Sequence, residues 1–250
     1  MTLPPLHWSQ LKHMARSPAH YRYFADNPPR ATAPMLLGTD VHALVLGGPA
    51  PLVFDGKRRQ GKAWDAFDEA NPDAEIVTLP EHELAQRIAM AVMRDDAAMR
   101  ALDGRHEYVL EWTIAGRRCA GRADVLSATM LADLKTGADV NPERFYWQAQ
   151  KMHYFGQLGW YRDGIEAAGL PVPNVAALVC VETKPPHPVV VFELTANALD
   201  MGRKFARGLF ERLRVCEESN AWPGYALGPV ALDVPESEGV VLDFGEEDAA

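Results

Sequence analysis

The sequence predicts an α/β fold in which a central mixed β-sheet is flanked by helices, with further helices added at the N-terminus. Two observations carry this prediction. Apolar residues recur mainly at helical spacing over the first hundred positions, and from His106 onward the pattern changes to three consecutive strand-like segments. A helix, a strand pair and a long helix follow. Because no repeat or low-complexity linker interrupts the chain, we expect one domain over residues 1–250.

The first part of the chain, residues 1–103, is predicted to be mainly helical. Ser9 is the candidate N-cap of its first helix. The apolar third helix ends at Gly47-Gly48, since glycine favours the left-handed backbone that closes a helix. Residues 54–71 are charged and weakly periodic, with a basic exposed loop near 55–62. The predicted helices cover about 8–17, 18–25, 33–46 and 81–102.

The second part, residues 104–226, changes to strands and then alternates strands with helices. Ala115-Gly116 reads as a tight turn between the first two strands, and Gly169 ends the helix that follows the third. Residues 227–250 form an acidic tail. The predicted strands cover 106–114, 117–126, 130–135, 176–183 and 189–194, and the predicted helices cover 142–168 and 196–219.

Composition excludes several classes of protein. The net charge is −9 and the pI is near 5.4, which argues against non-specific coating of nucleic acid or membrane. Three scattered cysteines without a CxxC pair support neither a zinc site nor an iron–sulfur cluster nor a disulfide scaffold. No apolar run of 18 residues or signal-peptide stretch occurs, so we expect a soluble cytoplasmic protein that does not enter a membrane.

The Ala115-Gly116 turn fixes a register for the first two strands. If it is a two-residue turn, Ile114 pairs with Arg117 and Glu107 lies opposite Asp124. One face of the hairpin is then charged and the other mostly apolar. A slip of one residue would bury the carboxylates, so this register predicts that Asp124 lies on the charged face, away from the core.

Asp133 and Lys135 lie two residues apart on the third predicted strand and therefore share a face. Beside Asp124, with Glu107 or Glu111 near, they would form an acidic pair with a lysine. Two close carboxylates bind hard divalent cations, and a lysine beside the metal can stabilise charge on a phosphate or help to activate a water. A lone Asp-x-Lys on a strand is also a common surface ion pair, so this pattern alone has low specificity.

The residues around this pair resemble a known family. Asp124 followed by Asp133-Leu134-Lys135 is similar to the PD-(D/E)xK nuclease signature, and MLLGTDVHALVLG, YFGQLGWYRDG, VETKPPHPV and AWPGY resemble elements of its RecE/RecB-like, phage-type exonuclease branch. The likeness runs from about residue 8 to 226. It implies a restriction-endonuclease-like core with a metal site of Asp124, Asp133, His42 and the backbone carbonyl of Leu134, occupied by Mg²⁺ or Mn²⁺.

Further residues receive roles from the same resemblance. Gln157 and Tyr161 lie one helical turn apart and correspond to its Q-x-x-x-Y helix near the active site and the DNA backbone; Tyr154 extends their face. The other interpretation of this helix is an ordinary amphipathic one with aromatic residues in the core, and we expect Trp147, Phe155 and Trp160 to lie there. The densest cationic run is a candidate clamp for the DNA backbone or a solvated loop; it comprises Lys57, Arg58, Arg59 and Lys62.

The resemblance implies an exonuclease that degrades the ends of linear double-stranded DNA, 5′ to 3′, and leaves single strands for a phage-type recombinase or annealing protein. It also implies a ring-shaped homo-oligomer. Three alternatives remain open at this point. One is a structure-selective or single-strand endonuclease with the same centre, and another is a catalytically inactive DNA-binding module. The third is a metal-dependent phosphatase or other hydrolase that acts on small phosphoesters.

Overall fold

The computed structural model describes residues 3–226 and 228–232. Most of the acidic tail predicted at 227–250 therefore lies outside the described residues. The helices are α1 (Trp8–Leu11), α2 (Pro18–Asp26), α3 (Ala33–Leu46), α4 (Lys62–Ala70), α5 (Leu79–Arg94), α6 (Asp96–Ala101), α7 (Pro142–Lys151), α8 (Tyr154–Ala167) and α9 (Ala196–Ser219). The strands are β1 (Leu6–His7), β2 (Leu52–Phe54), β3 (Ile76–Thr78), β4 (Arg105–Ile114), β5 (Arg117–Leu126), β6 (Met130–Gly137), β7 (Val175–Glu182) and β8 (Val189–Glu193).

The predicted mixed sheet is confirmed. Its strands run in the order β1, β5, β6, β7 and β8. The sixth strand, β4, lies outside this order and pairs with β5. The β4–β5, β5–β6 and β7–β8 pairs are antiparallel, whereas β6–β7 and β1–β5 are parallel. Within the described part of the chain, no helix is long and apolar enough to cross a membrane.

Two apolar clusters cover the two faces of this sheet. The α8-side cluster joins β6 and β7 to α8 and α9 through side chains such as Leu131, Leu178 and Leu158. The α5-side cluster joins the alternate positions of the same strands, such as Ala132 and Val179, to α3, α5 and α6. Because successive strand residues point to opposite faces, each strand contributes to both clusters, as expected for a sheet covered by helices on both faces.

The prediction for the first helix is wrong, because α1 covers only Trp8–Leu11 and a 3-10 turn follows it. The first helix begins at Trp8 with His7 as its N-cap, so Ser9 is not the cap. It is Ser17 that caps α2, where its hydroxyl accepts a hydrogen bond from the His20 backbone N–H at 3.2 Å. The prediction at Gly47 is correct, since this residue ends α3 with a left-handed backbone.

Two predicted long helices are each divided. The segment predicted at 81–102 turns at Asp95, whose extended backbone and side-chain cap begin α6. The segment predicted at 142–168 turns at His153, which adopts a left-handed backbone with φ 58° and ψ 36°. Neither break carries a glycine or proline; Asp95 is a preferred N-cap residue, whereas His153 gives no local signal for the second break. The second break turns the chain so that α8 packs along α9.

The charged stretch predicted at 54–71 contains more structure than its weak periodicity indicates. It begins at the end of β2, which pairs in parallel with β3 as a separate two-stranded sheet, and continues into α4. Phe54 packs against Trp64 and Phe67 with ring centroids 5.2 and 5.3 Å apart. This small aromatic cluster is what fixes α4, which has no buried residue of its own.

Candidate active site

The β4–β5 hairpin has the predicted register. Ile114 pairs with Arg117 and the same register continues to Arg105 opposite Leu126, which leaves Glu107 opposite Asp124. The alternation of faces nevertheless breaks at this point, because Glu107 has a left-handed backbone with φ 51°. Ala123 therefore packs in the α8-side cluster, whereas Val125, two residues later, packs in the α5-side cluster.

The break turns Asp124 towards the face that α8 covers. Asp124 shares this face with Leu126, and Asp133 shares it with Leu131, since both leucines belong to the α8-side cluster. The two acids and Lys135 thus lie on one face, as predicted. The prediction that this face is away from the core is wrong: Asp124 is 9% exposed and Asp133 is 1% exposed.

Each buried acid has specific partners. The Asp124 carboxylate accepts a hydrogen bond from the Leu134 backbone N–H at 2.8 Å. Asp133 accepts one from the Gln157 amide at 2.9 Å through Oδ1, and its Oδ2 forms an ion pair with the Lys135 ammonium. Burial raises the pKa of Asp124 well above its ordinary value, and the neighbouring Asp133 charge raises it further.

Lys135 is held between the acids and an aromatic ring. Burial lowers its pKa, but the carboxylates of Asp133 and Asp124 outweigh this effect, so that the pKa lies above the ordinary lysine value. Its Nζ also lies 5.2 Å from the ring centroid of Tyr154, within reach of a cation–π interaction. The lysine is therefore a fixed positive charge beside the two acids.

His42 reaches this site from α3, as the family resemblance implies. Its Nε2 donates a hydrogen bond to the Leu134 carbonyl at 2.8 Å, because a carbonyl can only accept. Burial and the Lys135 charge lower its pKa, which favours the neutral ring. The lone pair of Nδ1 then faces Asp124 Oδ2 at 3.5 Å, so two acceptor atoms meet across a gap that suits a cation.

Glu107 completes a group of metal-type donors. Ligand atoms of His42, Glu107 and Asp124 all lie within 4.8 Å of one another, and Asp133 is not among them. One imidazole nitrogen with carboxylate oxygens suits a divalent cation such as Mn²⁺ or Mg²⁺. The donors present therefore fit the implied metal. The positions of these donors indicate that the metal would lie nearer to Asp124 and Glu107 than to the midpoint between Asp124 and Asp133 that the sequence predicts.

The other candidate acid lies elsewhere. Glu111 is exposed and opposite Ala120, four residues along β4 from Glu107. It takes no part in the group of donors. Successive same-face positions on a strand are almost 7 Å apart, so a residue two such steps away cannot share a metal with Asp124.

Gln157, Tyr161 and Tyr154 support the acids from α8. The Gln157 amide donates to Asp133 and to the Tyr161 hydroxyl, at 2.9 and 3.2 Å. Burial raises the pKa of Tyr161 to about 12, so its hydroxyl remains protonated. Tyr154 is 8% exposed and lies beneath Lys135, which leaves little of its surface for the DNA contact predicted for it. These side chains position Asp133 and Lys135.

The basic loop divides into one structural residue and three exposed ones. Arg59 binds both carboxylate oxygens of Glu81 at 2.6 and 2.7 Å and the Ile76 carbonyl at 3.0 Å. This bidentate pair ties the loop to the start of α5, so Arg59 is committed to the fold. Exposed positions are occupied by Lys57, Arg58 and Lys62.

Two further charged residues lie near the site without a predicted role. Arg122 pairs with Glu107 at 2.7 Å across the hairpin, where register alone would place it opposite Val109. Lys12, in the 3-10 turn that follows α1, is close enough to Lys135 that the two charges repel; burial and this repulsion lower the pKa of Lys12. Only the packing of the N-terminal segment against α9 brings Lys12 to the site.

Comparison with known proteins gives a family match over most of the chain. Residues 7–228 match the model of a family described as a PDDEXK-like domain of unknown function (DUF3799). The chain belongs to this PDDEXK-like family. The predicted kinship with PD-(D/E)xK nucleases is thereby confirmed, and membership supports a nuclease activity.

The fold of this PDDEXK-like chain also occurs in a solved structure. The crystal structure of a protein from Eubacterium rectale named "Putative exonuclease" superposes with a TM-score of 0.65 at 15% identity, covering 94% of this chain and 91% of that one. At this identity the match supports the fold alone. No curated protein matches the chain.

Proposed function

We propose that this protein is a metal-dependent deoxyribonuclease that hydrolyses phosphodiester bonds at the ends of linear double-stranded DNA, in the 5′ to 3′ direction. One observation carries the proposal: the Asp133–Lys135 ion pair lies beside three convergent metal-type donors in a PDDEXK-like chain. Phosphodiester hydrolysis needs such a set, because negative charge develops on the phosphate while a water must be oriented for attack.

Each residue of the site has a separate role in the proposed reaction. Asp124, Glu107 and His42 would hold Mg²⁺ or Mn²⁺, with Asp133 and the Leu134 carbonyl next to them. When bound, the cation supplies Lewis-acid stabilisation of the phosphate and lowers the pKa of a coordinated water. Lys135 orients the attacking water or balances charge on the phosphate, and Gln157 keeps Asp133 in place.

The biological setting that we propose rests on the family resemblance. Resection from an end would leave single strands for a phage-type recombinase or annealing protein, and the active form would be a ring of several copies. The exposed cations Lys57, Arg58 and Lys62 are the proposed clamp for the DNA backbone.

Two other functions fit the same residues. A structure-selective or single-strand endonuclease would use the same centre without needing an end. An inactive DNA-binding module would retain the surface but not the chemistry, and it is disfavoured because Asp124, Asp133 and Lys135 are all present and in contact or close to one another.

The experiment is digestion of linear duplex DNA labelled at either the 5′ or the 3′ end, with Mg²⁺, Mn²⁺ or EDTA. We expect metal-dependent release of short labelled products from the 5′-labelled end first, and no cleavage of a covalently closed circle. Lys135→Ala should lose about 100-fold or more of this rate, because one electrostatic contact to the reacting group typically supplies that factor. Lys184→Ala, which removes an exposed lysine from the turn between β7 and β8, should leave the rate unchanged.

Each alternative gives a different result. Cutting of the closed circle would support the endonuclease and overturn end dependence. Equal rates for wild type and Lys135→Ala would overturn the catalytic assignment. DNA binding without metal-dependent cutting would support the inactive module.

A further inference from the structure

Helix α7 carries two aromatic side chains that the fold leaves in solvent. Trp147 is 69% exposed and Tyr146 is 49% exposed, and their rings lie edge to face with centroids 5.2 Å apart. The prediction of Trp147 as a core residue is therefore wrong. The core side of α7 is formed instead by Phe145, which stacks on Phe192 at 4.4 Å, and by Ala149.

This aromatic pair lies on a helix that contacts the candidate active site, because the side chain of Gln148, the residue after Trp147, lies against Gly137, two residues after Lys135 on β6. The ring centroids of Tyr146 and Phe155 lie 6.1 Å apart. Phe155 directly follows Tyr154, and the ring of Tyr154 lies next to the Lys135 ammonium. The C-terminal end of α7 is the end that leads through His153 into α8. A DNA strand that continues from the reacting groups along α7 would therefore meet Tyr146 and Trp147.

The chemistry of this face favours a nucleotide over an apolar protein partner. Trp147 and Lys151 lie one helical turn apart, so an exposed indole and an exposed ammonium share one face near the site. The Gln150 amide donates to the Tyr146 hydroxyl at 2.8 Å and orients its ring. Glu143 is the acidic residue on the same face of α7, and it lies in the first turn, at the opposite end of the helix from Lys151. A base needs an aromatic surface and its phosphate needs a cation.

We propose that Trp147 and Tyr146 stack on unpaired bases of the DNA strand passing the candidate active site, while Lys151 contacts the adjacent phosphate. This inference rests on the proposed function, since it takes DNA as the substrate. It assigns α7 to substrate binding and predicts a preference for strands that have bases free to stack.

The test measures binding in EDTA, where cleavage does not interfere. Fluorescence anisotropy would give the affinity of the full-length protein for a labelled 20-nucleotide oligothymidylate and for a chain of equal length in which every residue is abasic. We expect Trp147→Ala to bind oligothymidylate about 5- to 100-fold more weakly, the loss typical of one unstacked base, and Trp147→Phe to retain most of the affinity. On the abasic chain wild type and Trp147→Ala should bind equally.

The controls separate stacking from general effects. Met90→Ala removes a 44% exposed side chain from α5, on the other face of the sheet, and should bind like wild type. Lys151→Ala should lower the slope of log affinity against log salt by about one, because one phosphate contact is lost. Because Trp147 is largely exposed, Trp147→Ala should keep the melting temperature of wild type.

Unchanged affinity of Trp147→Ala, an equal loss on the abasic chain, or a change of oligomeric state without a change of DNA affinity would each overturn the inference. Wild type that fails to bind either chain would overturn it as well. Failure of the proposed function is a separate result, because DNA that binds with the expected base dependence but is never cut would contradict only the nuclease assignment.

Discussion

At the scale of single residues, the main feature is the burial of two like charges. Asp124 and Asp133 are both shielded from water, and the pKa of Asp124 is raised by burial and then by Asp133. Lys135 and the Leu134 N–H offset part of this cost. The site is thus built for a further positive charge, and without one it stores unfavourable electrostatic free energy.

Asp124→Asn should therefore stabilise the metal-free protein while removing its activity. The amide oxygen can still accept the Leu134 N–H, and we expect the free energy of unfolding in EDTA to rise by about 1–2 kcal/mol. Wild type should gain melting temperature when Mn²⁺ is added, whereas Asp124→Asn should gain little. Thermal unfolding at pH 7 with and without metal measures both effects.

The pH dependence of this difference has a defined sign. A carboxyl group whose folded pKa is raised lowers stability as the pH rises from its ordinary value towards the raised value, because the unfolded chain ionises first; the lost stability is recovered as the pH falls through the same range. The advantage of Asp124→Asn in EDTA should therefore shrink as the pH is lowered. Asp200→Asn, at an exposed carboxylate on α9, serves as the control that should not alter the response to metal. A metal response equal in wild type and Asp124→Asn would contradict the ligand assignment.

At the scale of elements, α8 depends on its close approach to α9. A Cβ on Gly202 would lie 2.1 Å from the Phe155 carbonyl oxygen, and one on Gly159 would lie 2.5 Å from the Arg203 nitrogen. The ion pairs of Asp163 with Arg203 and Arg207 hold the same two helices together. Since α8 carries Gln157, this contact determines where Asp133 is held.

Gly202→Ala should force the two helices apart. We expect a loss of about 3 kcal/mol in stability, at the upper end of the usual cost of overpacking, and a lower kcat for DNA cleavage because Gln157 moves. Denaturant unfolding and cleavage kinetics measure the two effects.

Gly208→Ala is the matched control on the same helix. Among the described residues, no atom outside the adjoining backbone of α9 lies within 4 Å of a Cβ at Gly208, so alanine should stabilise α9 by about 1 kcal/mol through its higher helix propensity. If Gly202→Ala were as stable as Gly208→Ala, the inference that α8 and α9 leave no space for a Cβ at Gly202 would be wrong.

At the scale of the whole molecule, most of the net negative charge lies in the last 18 residues of the sequence. Residues 233–250 contain seven of the 34 acidic residues and none of the 25 lysines and arginines, so residues 1–232 carry a net charge of only −2. The overall charge of −9 therefore understates how well the rest of the chain suits a polyanion.

Removal of residues 233–250 should strengthen DNA binding. We expect about a threefold or larger gain in affinity at low ionic strength, because phosphate repulsion by seven carboxylates is removed, and the gain should disappear as salt screens it. Anisotropy titrations at several salt concentrations measure this. Full-length protein with the seven acids changed to Asn or Gln is the control, and weaker binding by both variants would contradict a repulsive role.

The sequence by itself determined those parts of the protein that depend on local pattern. The two-residue turn at Ala115-Gly116 fixed the hairpin register, and the spacing of Asp133 and Lys135 placed them on one face. The long apolar helix ending at Gly47 was equally readable. Turn chemistry and the period of two act over a few residues, so they need no knowledge of the rest of the chain.

Only the tertiary structure decided which side of each element is covered. Because α8 folds back at His153 onto the face of Asp124, the acids are buried, and because α7 ends before that turn, Trp147 stays in solvent. The left-handed residue Glu107 likewise joins the metal donors through a break in the strand. Burial depends on what packs from distant parts of the chain, and no local pattern contains that information.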